Sequence, residues 1–206
     1  PGEYETESVR PMIPPLAVVD LGVVVEPITF SELAESSGHE KNEHDDKDGD
    51  KDSGKDEHAH ANGQYDPHFW LDPLRVVNAG TEIARQLSSL DKQGSKGYSE
   101  NLDSFSARLN ELHYWINDQV SLLPVERRVL VSSHHSLQYF ASRYGFKVIA
   151  TLFPGPGTEI DPLPEHLVSV IEKVEKYRVP AVFGEVGVGD RIASAVARET
   201  GTKFVR

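Results

Sequence analysis

The chain has 206 residues, enough to bury a substantial core in one large or two small domains. With Lys+Arg 21 against Asp+Glu 33, its net charge of -12 argues against a nucleic-acid partner and in favour of cations. It contains no cysteine, so disulfides, thiol catalysis and zinc ribbons are excluded, and any transition-metal site must draw on His and carboxylates.

In chain order, the opening "PGEYETESVRPMIPP" reads as a loop without an initiator Met. "LAVVDLGVVVEPITF" (16–30) carries two β-branched runs around Gly22, the pattern of two buried strands or of one strand and a turn. Residues 38–64 contain no Phe, Tyr, Trp or β-branched residue. Such a stretch cannot bury enough apolar area to offset its ordering entropy, which predicts a mobile loop. Asp72 is a natural N-cap with Pro73 at the first helical position, and Val76, Ile83, Leu87 and Leu90 mark a helical face that "DKQGSKG" ends. Tyr98, Leu102, Phe105, Leu109, Leu112, Ile116, Val120 and Leu123 then step by threes and fours. One unbroken helix over 98–123 follows, about 40 Å long at 1.5 Å per residue.

From Pro124 the pattern becomes strand then helix, repeated: "RVLVS" (128–132), a helix over 136–144 stopped by Gly145, "KVIA" (147–150), a helix over about 163–178, "PAVFGE" (180–185), a helix over 190–200 stopped by Gly201, then "KFVR". This alternation specifies an α/β fold with parallel strands and helices on the sheet faces. Ligands in such folds sit beyond the carboxyl ends of the strands, where His134 and Glu185 fall. "GTKFVR" stops just as a strand begins, and both ends read as cuts from a longer chain. No segment approaches the roughly 18 consecutive apolar residues of a membrane span.

His68 lies in "DPHFWLDP", where Pro67, two aromatic residues and the Asp72–Pro73 helix start restrict the wandering of an imidazole, as a metal ligand requires. The competing reading is a histidine on a turn with no partner. "SSHHSLQYF" puts His134 and His135 where a strand gives way to a helix, and adjacent residues there diverge by ~100°, so one of the two faces a given ion. Both could equally be polar residues at a helix start. Glu185 could bind a metal, orient a histidine or pair with Arg, and a role behind the ligands is favoured. His113 reads as a surface or interlobe residue and His166 as solvent-facing.

The run 39–60 sets His39, His44, His58 and His60 among nine carboxylates and four lysines. Tracts of this kind chelate zinc or copper weakly, or serve as solvated spacers. Asp46, Asp48, Asp50 and Glu57 match offsets of a calcium-binding loop, but Lys51 stands where that loop needs Gly.

Taken together, "DPHFWLDP", the helix opening with "YSENL", "SSHHSLQYFASRYGF", "TEIDPLPEHL" and "PAVFGEVGVGDRIASAVARETGTKF" resemble the metal-binding solute-binding proteins of ABC importers, specifically the zinc-uptake branch. The resemblance runs from about residue 16 to 206. It implies two α/β lobes joined by a long rigid helix, with the ion between them. Residues 1–97 would be the remainder of the first lobe with its loop at 38–64, residues 98–123 the interlobe helix, and 124–206 a truncated second lobe.

His68 matches the family's Asp-Pro-His ligand and His134 its second-lobe ligand, a position where the manganese branch usually carries Glu. A His-rich loop ahead of the Asp-Pro-His motif is typical of the zinc branch. The family's first His ligand and a late acidic residue fall outside these residues. The implied protein is not an enzyme. It captures Zn2+ outside the cytoplasm, in the periplasm or as a lipoprotein at the outer face of the cytoplasmic membrane, and hands it as a monomer to an ABC permease, with no nucleic-acid partner. Manganese or another divalent metal, and an adhesin role, are the alternatives within the family. A zinc hydrolase is the rival class, but neither HExxH nor a Ser nucleophile elbow occurs.

Overall fold

The computed structural model describes residues 18–29, 65–154, 162–185 and 190–206. Six α-helices occur among them: α1 (Gly22–Val25), α2 (Pro73–Leu90), α3 (Ser95–Ser121), α4 (Gln138–Tyr144), α5 (Pro164–Tyr177) and α6 (Asp190–Thr200). They are joined by strands β1 (Val129–Ser132), β2 (Lys147–Thr151), β3 (Ala181–Phe183) and β4 (Lys203–Val205). None of these helices is long and apolar enough to cross a membrane.

β1 and β2 pair in parallel from Val129↔Lys147 to Ser132↔Thr151, with a bulge between Leu130 and Val131. β3 and β4 form a second parallel pair, and β3 lies alongside β1. Side chains alternate across the strands, and the core divides accordingly. Val131, Ile149 and Val182 point to one face, where they pack with Val170 and Val174 of α5 and with Ala193, Val196 and Ala197 of α6. Leu130 and Val148 point to the other and meet Ala141 and Phe140 of α4. Helices therefore cover both faces, as parallel strands with apolar residues on both sides require.

The stops fall where the backbone permits them. Gly145 (φ 70) and Gly201 (φ 67) end α4 and α6 in the left-handed region, and Arg178 (φ 50) does the same for α5. Asp72 caps α2 by accepting the Leu74 N–H at 3.0 Å, with Pro73 in the first turn. Between α2 and α3, Asp91 accepts the backbone N–H groups of Gln93 and Gly94 and the Tyr98 hydroxyl, each at 3.0 Å. The two helices pack on each other where Gly80 lets Leu102 approach.

One expectation fails. The apolar run after Val18 is not a strand but the single helical turn α1, followed by an isolated antiparallel bridge from Thr29 to Tyr65. The Asp20 carboxylate accepts the Gly22 N–H at 2.8 Å, and the Arg75 guanidinium donates to the carbonyls of Val25 and Glu26. Those polar contacts satisfy the backbone locally and override β-branched propensity. The predicted loop at 38–64, with His39, His44, His58 and His60, lies outside the described residues.

Candidate metal centre

His68 begins the 3-10 turn Phe69–Leu71 that leads into α2. Two contacts to one carboxylate fix it: Asp66 Oδ1 accepts the His68 backbone N–H at 2.9 Å and faces its ring Nδ1 at 2.6 Å. Asp66 is buried to 2 % exposure, so this carboxylate is shielded from water. An Nδ1–H held by the carboxylate leaves the lone pair on Nε2, the tautomer a metal ligand needs.

His134 stands two residues past the end of β1, in a turn that precedes α4. Its carbonyl is held by the Ser132 hydroxyl and the Ser136 N–H, both at 2.8 Å. Its Nδ1 lies 2.9 Å from Glu185 Oε1, an ion-pair distance without the alignment of a hydrogen bond. Glu185 sits two residues past β3 and also accepts from the Ser136 hydroxyl at 3.0 Å.

The two imidazoles meet. Nε2 of His68 and Nε2 of His134 are 3.3 Å apart, from residues 66 positions distant in sequence. Each ring turns its other nitrogen to a carboxylate, and with both Nε2 atoms unprotonated the two lone pairs would face each other across a space that suits a cation. Two Zn–N bonds of about 2.0–2.1 Å at the tetrahedral angle place their nitrogens about 3.3–3.4 Å apart. Among the described residues no group of three or more His, Cys, Asp or Glu side chains is placed to hold a metal.

The neighbouring histidines go elsewhere. His135 turns to Thr151, its Nε2 3.3 Å from the hydroxyl, and burial holds its pKa below the ordinary histidine value. His166 corrects the sequence reading: it is half-buried, not solvent-facing, because its Nε2 donates to the Thr151 carbonyl at 2.9 Å from the first turn of α5. With His135 it lines a cavity of about 290 Å³ against β2. His113, on α3, packs its ring against Tyr144 of α4, with Nδ1 3.2 Å from the hydroxyl.

Sequence reasoning gave no role to Asp66, which stands in the quoted "DPH", nor to Tyr139 and Arg143. The Tyr139 hydroxyl donates to the Asp66 carbonyl at 2.6 Å, and Arg143 Nε reaches Asp72 at 2.9 Å. The local signal for Asp66 was present, a carboxylate two residues from a histidine.

The family model described as the zinc-uptake complex component A, periplasmic, matches residues 16–206. The chain belongs to that family. A metal ABC transporter substrate-binding lipoprotein of Streptococcus mutans, SloC, is 31% identical over 145 residues, covering 70% of this chain and 47% of that protein. The manganese ABC transporter substrate-binding lipoprotein PsaA of Streptococcus pneumoniae is 30% identical over 67% of this chain and 44% of its own length. Among solved structures, a crystal structure of ZnuA superposes with a TM-score of 0.61 at 31% identity, over 68% of this chain and 52% of that one. The chain thus has the α/β fold of the periplasmic metal-binding proteins in part, and spans about half the length of the curated relatives it matches.

Proposed function

We propose that this chain is part of an extracytoplasmic solute-binding protein that captures Zn2+ between His68 and His134 and delivers it to an ABC importer permease, acting as a monomer and without catalysis. In this reading residues 1–97 belong to a first lobe, 98–123 to the connecting helix and 124–206 to a second lobe. His68 and His134 come from opposite sides of that division. Asp66 holds the His68 ring by a hydrogen bond, and Glu185 stands at ion-pair distance behind the His134 ring.

The observation that carries the reading is the 3.3 Å separation of the two Nε2 atoms, each ring backed by a carboxylate. Neutral imidazoles suit zinc better than manganese, which prefers oxygen donors. Manganese remains the second reading, because relatives such as PsaA carry that metal in their names.

Calorimetric titration of the full-length protein with Zn2+, Mn2+ and Cu2+ tests the choice. Zinc exceeds manganese at most nitrogen sites by the general affinity order, so manganese is the informative ion. Weak Mn2+ binding supports the zinc reading, and Mn2+ affinity within about tenfold of that for Zn2+ supports the second.

The segment 39–60 has a kinetic part in this proposal. Its four histidines and nine carboxylates end eight residues before His68 and raise the zinc concentration near the site. Deleting it should keep the tight site, remove weak sites and slow capture in stopped-flow mixing. Unchanged capture rates and stoichiometry would leave it a spacer, and loss of the tight site would make it a source of ligands.

A further inference from the structure

His68 and His134 lie far apart in sequence, yet their nitrogens approach to 3.3 Å, so something must set that separation. α4 is the element both share. It begins four residues after His134 and projects Tyr139 and Arg143, one helical turn apart, to the same side. Both reach the segment that carries His68.

Tyr139 is 1% exposed. Its hydroxyl donates to the Asp66 carbonyl at 2.6 Å and accepts the Ile28 N–H at 3.0 Å. The Arg75 guanidinium lies 5.0 Å from its ring centre. The residue it grips is the one whose carboxylate holds both the backbone and the ring of His68. Arg143 grips Asp72, six residues after Asp66: it donates from Nε to Oδ1 at 3.0 Å and to Oδ2 at 2.9 Å, and Nη2 lies 2.7 Å from Oδ2. Asp72 is 1% exposed and caps α2, so the guanidinium fixes the start of the helix that follows His68.

We infer that Tyr139 and Arg143 are positioning residues for metal capture, a two-point clamp by which α4 holds His68 at a fixed distance from His134. The inference rests on the metal-capture reading above. The arrangement has a direct consequence for binding. Ligands already at the spacing of a bound ion lose little freedom on capture, so loosening the clamp weakens retention without removing any donor atom. The purely structural alternative assigns these contacts to stability alone.

The test uses the full-length protein with Tyr139→Phe, which keeps the ring and removes the hydroxyl, and Arg143→Lys, which keeps the charge and removes the two-oxygen grip. Zinc release is followed by stopped-flow chelation, and the Co2+ derivative reports ligand geometry in its visible bands. About tenfold faster release with altered cobalt bands is expected for each variant, in line with losses of outer partners at metal sites. Wild-type release and bands in both variants, whatever the melting temperature does, would overturn the clamp.

A second measurement needs no metal. The 206 residues hold no cysteine, so spin labels at Ser89→Cys on α2 and Glu172→Cys on α5 report the spacing of the two sides in the metal-free protein. The clamp predicts one narrow distance in the parent and a broader distribution in the double variant Tyr139→Phe/Arg143→Lys. An unchanged narrow distribution would overturn it. Failure of the capture reading is visible separately, as tight zinc binding that survives His68→Ala, and the distance measurement still decides the clamp in that case.

Discussion

The surroundings of His68 and His134 and the α2–α3 hairpin are held by different kinds of contact. Around the histidines, buried polar groups bind residues about 70 positions apart: Tyr139 to Asp66 and Arg143 to Asp72. Along the hairpin, α2 and α3 meet through apolar side chains that remain substantially open, with Ile83 42%, Leu87 40% and Phe105 44% exposed. Polar contacts in low dielectric have strict distance and angle requirements, whereas apolar contacts tolerate sliding. Atomic position is therefore fixed around the two histidines, and the hairpin supplies length and support.

Substitutions sharpen this contrast. The largest effect belongs to the two proposed ligands. His68→Ala and His134→Ala should each weaken zinc binding by more than about 100-fold, beyond the range of outer partners, while His135→Ala changes it little because that ring faces Thr151. Calorimetry on the full-length protein checks this, and damage from His135→Ala with His134→Ala harmless would reverse the assignment.

Next comes Asp72→Ala. It removes the α2 cap and strands the Arg143 guanidinium, at an expected cost of about 2 kcal/mol in urea unfolding. A loss under about 0.5 kcal/mol would show that the polar contacts near the histidines matter no more than surface pairs.

The hairpin should respond in the opposite direction. A Cβ at Gly80 would meet Leu102 Cδ1 at 3.4 Å, the edge of ordinary contact. Gly80→Ala should therefore stabilise α2 by about 0.5–1 kcal/mol through the unfolded chain's lost freedom. Destabilisation instead would mean that α2 and α3 are packed as tightly as the site.

Smallest is Glu82→Gln on the same helix. Hydrogen bonds from Arg85 and Gln86 lower the Glu82 carboxyl to about 2. A depressed carboxylate stabilises the fold above its unfolded value of about 4.5, and that contribution fades as pH falls towards 2. Because the Arg85 side chain is exposed and solvent screens its charge, melting curves of the variant and parent should nearly coincide from pH 7 to 5. A marked difference there would give the hairpin a second polar anchor beside the Asp91–Tyr98 contact.

Much of this contrast was readable in the sequence on one side only. Strand-helix alternation after Pro124, the Asp72–Pro73 start and the stops at Gly145 and Gly201 are local signals, and the elements lie where those signals put them. The run near Gly22 misled because its backbone is satisfied by Asp20 nearby and by Arg75 about 50 residues away. His166 was misread for a similar reason, since nothing beside it in sequence announces the Thr151 carbonyl. Tyr139 and Arg143 look like ordinary residues of an amphipathic helix. Their partners are visible only once the chain has folded.

In the proposed function His68 and His134 share one ion. Anomalous diffraction at the zinc edge, from crystals of the full-length protein grown with stoichiometric Zn2+, tests it most directly. One strong peak is expected about 2.0–2.1 Å from Nε2 of both residues. A dominant peak away from either imidazole, or one bound through His135 instead, would contradict it.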